Sequence, residues 1–516
     1  MADDSRRSWL LLLPIFAWLA CTAWARPLML PDEGRYVGVA WEMLRSGHWL
    51  TPTLDGMPFF HKPPLFYWLT AGSLWLFGTA EWAARLASVA GATAAAYAMY
   101  RFTLRWTGAT GARAVLVVLA THPMFFLGAQ FANLDMLVAS CITLAIVLLA
   151  DSVLRAERGE PFHLVLAGAW TSAAAGLMAK GLIGVVLPML VVGPWLIGTG
   201  RLRLLPRLLW PPAVALFLAL TLPWFLAMQA RFPQFYDYFF IVQHFERFAA
   251  GGFNNVQPFW FYPVVLAAFS LPWLAWGIGQ RRRQGPKDDA GPGLRSLMAW
   301  WLLAIVLFFS APQSKLIGYV LPAVPALAWL IGEAAASLRF DSARVRKAWL
   351  ATAVIAVVLD LGAVTIVALY QPAPARALAP VLEHQHEAGQ PVFFLRQYFY
   401  DLPVDAHLAD PVFVVDDWTD PSVQKRDNWR KELADASRFG NAGQLVEANR
   451  FLPSLCRSRV SWVVGSEREA QAFSFPAAAP VAAAAGDLRL WRVDSGSPAW
   501  AGVLKCAVAN DVGWPG

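Results

Sequence analysis

Charge is scarce in this sequence: Asp, Glu, Lys and Arg make up 15% of its 516 residues, against 57% apolar residues. So little charge excludes a disordered chain and an ordinary soluble domain of this size. The formal net charge of +7 raises the question of nucleic acid, but the basic residues fall in short clusters between apolar runs and form no basic domain, so no nucleic-acid partner is expected. Cysteine is equally sparse. Four cysteines exclude a disulfide-built scaffold, and Cys21 and Cys141 sit inside apolar runs, where a thiol is a small hydrophobe. Cys456 and Cys506 remain as the pair able to form a disulfide, which suits an oxidising compartment.

What the chain has in abundance is apolar sequence. Stretches long enough, or nearly so, to cross about 30 Å of hydrocarbon fall near residues 8–25, 83–102, 113–130, 134–151, 163–179, 181–199, 208–229, 258–279, 296–311, 316–335 and 348–370. Six basic clusters lie between them: Arg6–Arg7, Arg101/Arg105/Arg113, Arg155/Arg158, Arg201/Arg203/Arg207, Arg281–Arg283 with Lys287, and Arg344/Arg346/Lys347. Each follows an even number of spans, so the excess of cations on the cytoplasmic side puts the N-terminus inside and everything after residue 370 outside. The "AWA" at residues 23–25 also suits signal-peptide cleavage, which would leave that orientation unchanged. Arg45, Arg85 and Arg231 read as interfacial anchors, and Trp68, Trp224, Trp260 and Trp273 as an aromatic belt.

The expected fold is therefore a polytopic α-helical membrane protein of about 11 to 13 spans, followed by a small α/β domain. Residues 1–370 form the membrane part, with a first outer loop at 26–82, and residues 371–516 the soluble part. In the soluble part, "PVFFLRQYF", "PVFVVDDW", "RVSWVVGS" and "LRLWRV" read as strands, "SVQKRDNWRKELADASRF" as helical and "FPAAAPVAAAAG" as a loop.

Polar residues not explained by topology all fall on the outer side. The first outer loop carries Asp32, Glu33, Arg35, His61 and Lys62, and Asp135 begins a span. Lys180 ends another, residues 230–257 hold His244, Glu246 and Arg247, and Lys315 and Tyr319 lie near the last outer turn. His48 and His122 read as structural. Ionisable side chains in apolar surroundings are costly unless paired or used, and a membrane anchor needs none of them. Lysine and arginine neutralise phosphate oxygens, and a tyrosine adds a hydrogen bond. Carboxylates do not bind phosphate. They suit a different role, that of taking a proton, orienting an acceptor, or stabilising the positive charge of a sugar transition state. Group transfer from a phosphate-linked sugar fits this set, and His61 with His244 could hold a divalent metal, zinc, magnesium or manganese.

The ordered set "LMLPDEGRYVGVAWEMLRSGHWLTPTLDGMPFFHKPPLFYWL", "FANLDM", "AKGLIG", "HFERF", "QPFWFYPVV" and "SKLIGYVLPAVPAL" resembles the membrane GT-C glycosyltransferases of the aminoarabinose-transferase (ArnT-like) group, relatives of protein O-mannosyltransferases. The resemblance runs from about residue 30 to 330. It implies a polyprenyl-phosphate sugar donor, inversion at the anomeric carbon and a lipid A phosphate acceptor, on the periplasmic face of a bacterial inner membrane. It implies Asp32 and Asp135 as the catalytic acids, with Arg35, Lys62, Lys180 and Tyr319 around the donor phosphate. Lys315 and Arg247 join them as further phosphate candidates, and Glu33 as a neighbouring acid. His244 corresponds to a histidine at a metal site, but "HKPP" puts His61 where relatives read "EKPP". A protein or another envelope glycan as acceptor, or transport of a lipid-linked substrate, are the alternative readings.

Overall fold

The computed structural model describes residues 8–246, 255–278, 293–338, 342–371, 373–440, 442–476, 479–497, 500 and 504, without the side chains of Ser8 and residues 244–246. These fall into two compact units. One comprises residues 1–27 and 60–370, the other residues 28–59 and 371–516. The expected first outer loop is thus divided: residues 28–59 fold with the tail, whereas a sequence boundary at 370 assigns them to the membrane part.

The first unit is helical. Each of the eleven apolar stretches contains helix. Among the described residues four helices are long and apolar enough to cross a membrane: Leu134–Glu157, Pro211–Arg231, Ile317–Ala336 and Ala343–Tyr370. Ala109–Ala120 and Pro123–Ala129, bent by 64° at their junction, make a fifth if counted as one span. That is fewer than the eleven read from hydropathy, because several stretches form short or broken helices, such as Ile183–Gly198 and the pair Phe261–Phe269 and Leu274–Ile278. An apolar helix at Leu65–Phe77 lies inside the expected first loop. Ala343–Tyr370 turns Val354, Val358 and Leu369 outward, each more than 60% exposed, the face a lipid solvent requires.

Several residues that read as interfacial are interior. Arg85 is fully buried and donates to the carbonyls of Ala23, Arg26 and Pro27 at 2.6–3.0 Å, which satisfies the chain end after the first helix. Trp224 and Trp273 are buried as well, whereas Trp260 is exposed. His122 is structural as expected: it sits at the 64° bend and pairs with Ser270 Oγ at 3.1 Å.

The second unit is built on a six-stranded mixed sheet. After the hairpin of β1 (Thr53–Leu54) and β2 (Met57–Pro58) come β3 (Val392–Leu395), β4 (Phe413–Asp416), β5 (Leu445–Glu447), β6 (Val460–Ser466), β7 (Val481–Ala485) and β8 (Leu488–Asp494). The sheet order is β5-β4-β3-β6-β8-β7, with β5, β4, β3 and β6 parallel and β8 and β7 antiparallel. All four expected strands are present, and "SVQKRDNWRKELADASRF" forms the helices Ser422–Lys425 and Trp429–Ala436. The alanine-rich segment is not a loop; it makes the edge strand β7, whose pairing with β8 overrides the weak β-propensity of alanine. Cys456 is disulfide-bonded, and Cys506 lies outside the described residues.

Residues 28–59 enter this unit through two contacts. In the helix Asp32–Ser46, Gly34 faces the tail so closely that a Cβ would come 2.8 Å from Tyr400 Cβ. In the β1–β2 turn, Asp55 and Gly56 have φ of 53° and 73°, the left-handed pair of a type I′ hairpin. Glu42 accepts from both turn amides, at 2.5 and 3.0 Å, and Asp55 Oδ1 accepts from Val412 N at 2.8 Å. Burial first, and then Glu42, push the Asp55 carboxyl well above the usual range; burial also raises Glu42, and Arg45 offsets only part of either shift. Raised carboxyl pKa values mean that stability is fully present below the ordinary range of about pH 4 and is lost as pH rises through the raised values.

Two outcomes are expected. In the wild type, amide-exchange protection of β3 should fall as pH rises above about 4, and Asp55→Asn should flatten that fall. Gly184→Ala, whose Cβ would meet Gly176 C at 2.1 Å where two helices touch, should destabilise the first unit by roughly 1–3 kcal/mol in reversible unfolding.

Candidate active site

In the second unit the helix Asp32–Ser46 opens with two acids, and the structure gives them opposite environments. Glu33 is fully buried and turned back on its own chain, where it accepts from Met29 N at 2.7 Å. It closes the turn into the helix. Asp32 keeps 46% of its side chain exposed and contacts Arg35 one turn later. The Arg35 guanidinium lies between Asp32 and Glu432, pairing with both carboxylates, and stacks 5.1 Å from the Tyr36 ring. Glu432 is 6% exposed and also accepts from Tyr400 Oη at 2.6 Å. Burial alone would lower the Arg35 pKa, but Glu432 and the surrounding oxygens outweigh it and hold the cation firmly charged. Burial and then Glu432 raise the Tyr400 phenol, so Tyr400 stays a donor.

Two carboxylates thus already neutralise Arg35, which links Asp32 to the helix that carries Glu432. Neither Glu432 nor Tyr400 was visible as a partner in the sequence, because each lies more than 360 residues along the chain and neither sits in a motif. Asn428, whose side chain accepts from Arg430 N and Lys431 N, starts the helix that carries Glu432.

In the first unit a second cluster forms at helix ends. Asn133 caps the helix Leu134–Glu157 by accepting from Asp135 N at 2.9 Å, which fixes Asp135 in the first turn. Lys180, the last residue of the helix His163–Lys180, pairs with Asp135, both largely buried. Its ammonium stands 4.4 Å from the centre of the Tyr319 ring. Gly318 completes the arrangement: a Cβ there would fall 2.3 Å from Asp135 Oδ2. One acid, one lysine and one tyrosine that the sequence singled out separately thus converge, and glycine at 318 is what admits the acid.

The remaining candidates divide. Lys315 is 3% exposed and donates to the carbonyls of Gln257 and Pro312 at 2.8 and 2.5 Å, so it ties two chain segments together and is occupied. His61 is buried, its ring centre 6.1 Å from that of Tyr238, and Lys62 is half-buried beside it. An aromatic cluster anchors this turn, with Phe60 packed 4.9 Å from Phe232 and 5.2 Å from Phe235. Arg247 and the side chain of His244 lie outside the described residues. Among the described residues, which leave out the His244 side chain, no group of three or more metal-ligating side chains assembles.

The profile of the family described as dolichyl-phosphate-mannose-protein mannosyltransferase matches residues 61–226. An undecaprenyl phosphate-alpha-4-amino-4-deoxy-L-arabinose arabinosyl transferase of Sodalis glossinidius is 35% identical over 372 residues, 68% of this chain and 64% of that one. The protein of the same description from Serratia proteamaculans is 33% identical over 328 residues, 63% of this chain and 58% of that one. The chain thus spans less than two thirds of the length of these relatives. In fold it is similar to ArnT from Cupriavidus metallidurans bound to undecaprenyl phosphate, with a TM-score of 0.76 at 23% identity, covering 94% of this chain and 98% of the other.

The chain belongs to the ArnT-like group of GT-C membrane proteins.

Within this ArnT-like chain the Gly318 contact yields a prediction. Since the atom met by a new Cβ is the mobile end of a side chain, Gly318→Ala should fold normally, yet displace Asp135 from Lys180. The sugar transfer proposed below should fall at least about tenfold, the loss expected when a positioned group is shifted, with thermal stability unchanged; full transfer would contradict a role for the Asp135–Lys180 pair.

Proposed function

We propose that this chain is an inverting glycosyltransferase that moves 4-amino-4-deoxy-L-arabinose or another amino sugar from a polyprenyl phosphate to a phosphate of lipid A. The observation that carries this reading is the Asp135–Lys180–Tyr319 cluster, an ion pair backed by an aromatic ring at the ends of apolar helices. The activity for which the relatives are named supports the same chemistry.

In the proposed reaction an acceptor phosphate oxygen attacks the anomeric carbon as the bond from that carbon to the donor phosphate breaks. The electron pair leaves with polyprenyl phosphate. Lys180 and Lys62 offset the negative charge on the departing phosphate, and Tyr319 adds a hydrogen-bond donor. The acceptor is already ionised near neutral pH and needs no base. Asp32, held by Arg35 with its carboxylate half in solvent, serves to stabilise the positive charge that develops on the sugar ring. Asp135 orients Lys180. The reading places the reaction on the periplasmic face of the inner membrane, with the N-terminus cytoplasmic and residues 371–516 part of a periplasmic domain, as the loop charges indicate.

The family match over residues 61–226 also favours a second acceptor, a protein hydroxyl. Mass spectrometry of lipid A from cells with and without the gene distinguishes the two. An aminopentose- or hexosamine-sized addition, lost in Asp32→Asn and reduced roughly 100- to 1,000-fold in Lys180→Ala as for removal of a group stabilising transition-state charge, is the expected result. Unmodified lipid A with a sugar mass on a secreted protein would move the acceptor to protein; transport of lipid-linked sugar without any covalent transfer would overturn both.

A further inference from the structure

The parallel part of the tail sheet has a switch point that none of the transfer chemistry uses. From β3 the chain adds β4 and then β5 on one side, and then returns to place β6 on the other side of β3. In open sheets of this kind the crevice outside the carboxyl ends of the two strands flanking the reversal is where ligands bind, because the connections leave in opposite directions and open a gap. Here a cavity of about 260 Å³ lies at that point. Gln397, Phe399 and Asp401 follow β3, Ser466 ends β6 and Glu469 follows it, and Asp487 comes from the β7–β8 turn.

The chemistry of the lining is specific. Three carboxylates face one small space. Glu469 is held in place by its own helix start, its Oε2 accepting from Ser466 N and Ser466 Oγ at 3.0 Å each. Asp401 is 4% exposed, and its Oδ1 has no hydrogen-bond partner among the described residues. A buried carboxylate oxygen left in this state costs free energy until a donor reaches it. Burial accordingly raises its pKa, which backbone amides and the exposed Arg376 only partly offset. Phe399 supplies a flat apolar wall, and Gln397 and Ser466 supply neutral polar groups. The volume lies below the roughly 300–1,000 Å³ of sites for drug-sized ligands, so the occupant is about one sugar ring in size.

We propose that this cavity is a binding site for a single amine-bearing sugar, its ammonium paired with Asp401, its ring against Phe399 and its hydroxyls on Gln397 and Ser466. Glu469 and Asp487 add attraction for the cation. A neutral sugar of the same shape would leave the buried Asp401 oxygen without a charged partner, so the site discriminates by the amine. Binding in this cavity does not depend on which acceptor or donor the transfer reaction uses.

The test is ligand-observed NMR on the full chain in detergent, with glucosamine and glucose as probes. Glucosamine is expected to bind at least about tenfold more tightly than glucose, a difference of ~1.4 kcal/mol. Asp401→Asn should weaken glucosamine by at least a similar factor, and the exposed-turn variant Asp487→Asn severalfold, while both keep transfer to the natural acceptor. Asp135→Asn should leave glucosamine binding unchanged even if transfer is lost, which separates this site from the transfer cluster. Equal binding of glucose and glucosamine, binding insensitive to both Asp401→Asn and Asp487→Asn, or binding abolished by Asp135→Asn would overturn the proposal.

Discussion

Arg35 is the cation on which the second unit depends. Taking a guanidinium out of water is costly unless its charge is met, and here Asp32 and Glu432 neutralise it and accept from its two terminal nitrogens, from segments nearly 400 residues apart. The consequence runs outward from that pair. Glu432 is fixed by Tyr400 and by a helix capped at Asn428; Asp32 is fixed by Arg35; and the helix that carries both Asp32 and Arg35 is held to the tail. The half-exposed acid Asp32 would otherwise sit on a segment with little to order it. Folding the loop into the tail domain supplies the order.

The hairpin at residues 53–58 secures the same loop by different means. Its left-handed turn presents two amides to Glu42, and Asp55 reaches across to Val412 N. Both acids are buried, and both are pushed up in pKa by that burial, so this fastening is strongest when they are neutral, whereas the Arg35 clamp requires ionised partners. In the first unit the constraint is one of space: glycine at 318 admits Asp135 to Lys180, and the Asn133 cap sets the direction from which it comes.

Much of this was legible in the sequence, for reasons that can be named. Hydropathy located helix in all eleven apolar stretches, and alternating β-branched residues located four tail strands. Charge placement singled out Asp32, Asp135, Lys180 and Tyr319, because ionisable groups in apolar surroundings demand a partner or a purpose. What was not legible depended on distance along the chain. Glu432 reads as an ordinary solvated helix residue until Arg35 is seen beside it, and nothing local marks residues 28–59 as part of the tail. Lys315 shows the converse: a lysine in a motif suggests a phosphate ligand, whereas in the structure it donates to backbone carbonyls. Arg85 reads as an anchor for the same reason, since a cation near a helix end looks alike whether it faces lipid headgroups or three buried carbonyls. The alanine-rich strand β7 escaped because its conformation comes from pairing with β8 and not from its own propensity.

The central claim is that the Arg35–Glu432 pair holds the loop bearing Asp32 to the tail domain. Hydrogen exchange along residues 32–46 in the wild type and in Glu432→Ala tests it most directly. The account predicts that removing the Glu432 carboxylate, which breaks a buried pair worth roughly 3–5 kcal/mol when one partner is lost, sharply lowers amide protection throughout that helix, while helices of the first unit such as Leu134–Glu157 keep theirs. Unchanged protection at residues 32–46 would show that the loop is held without Arg35, and would contradict the account.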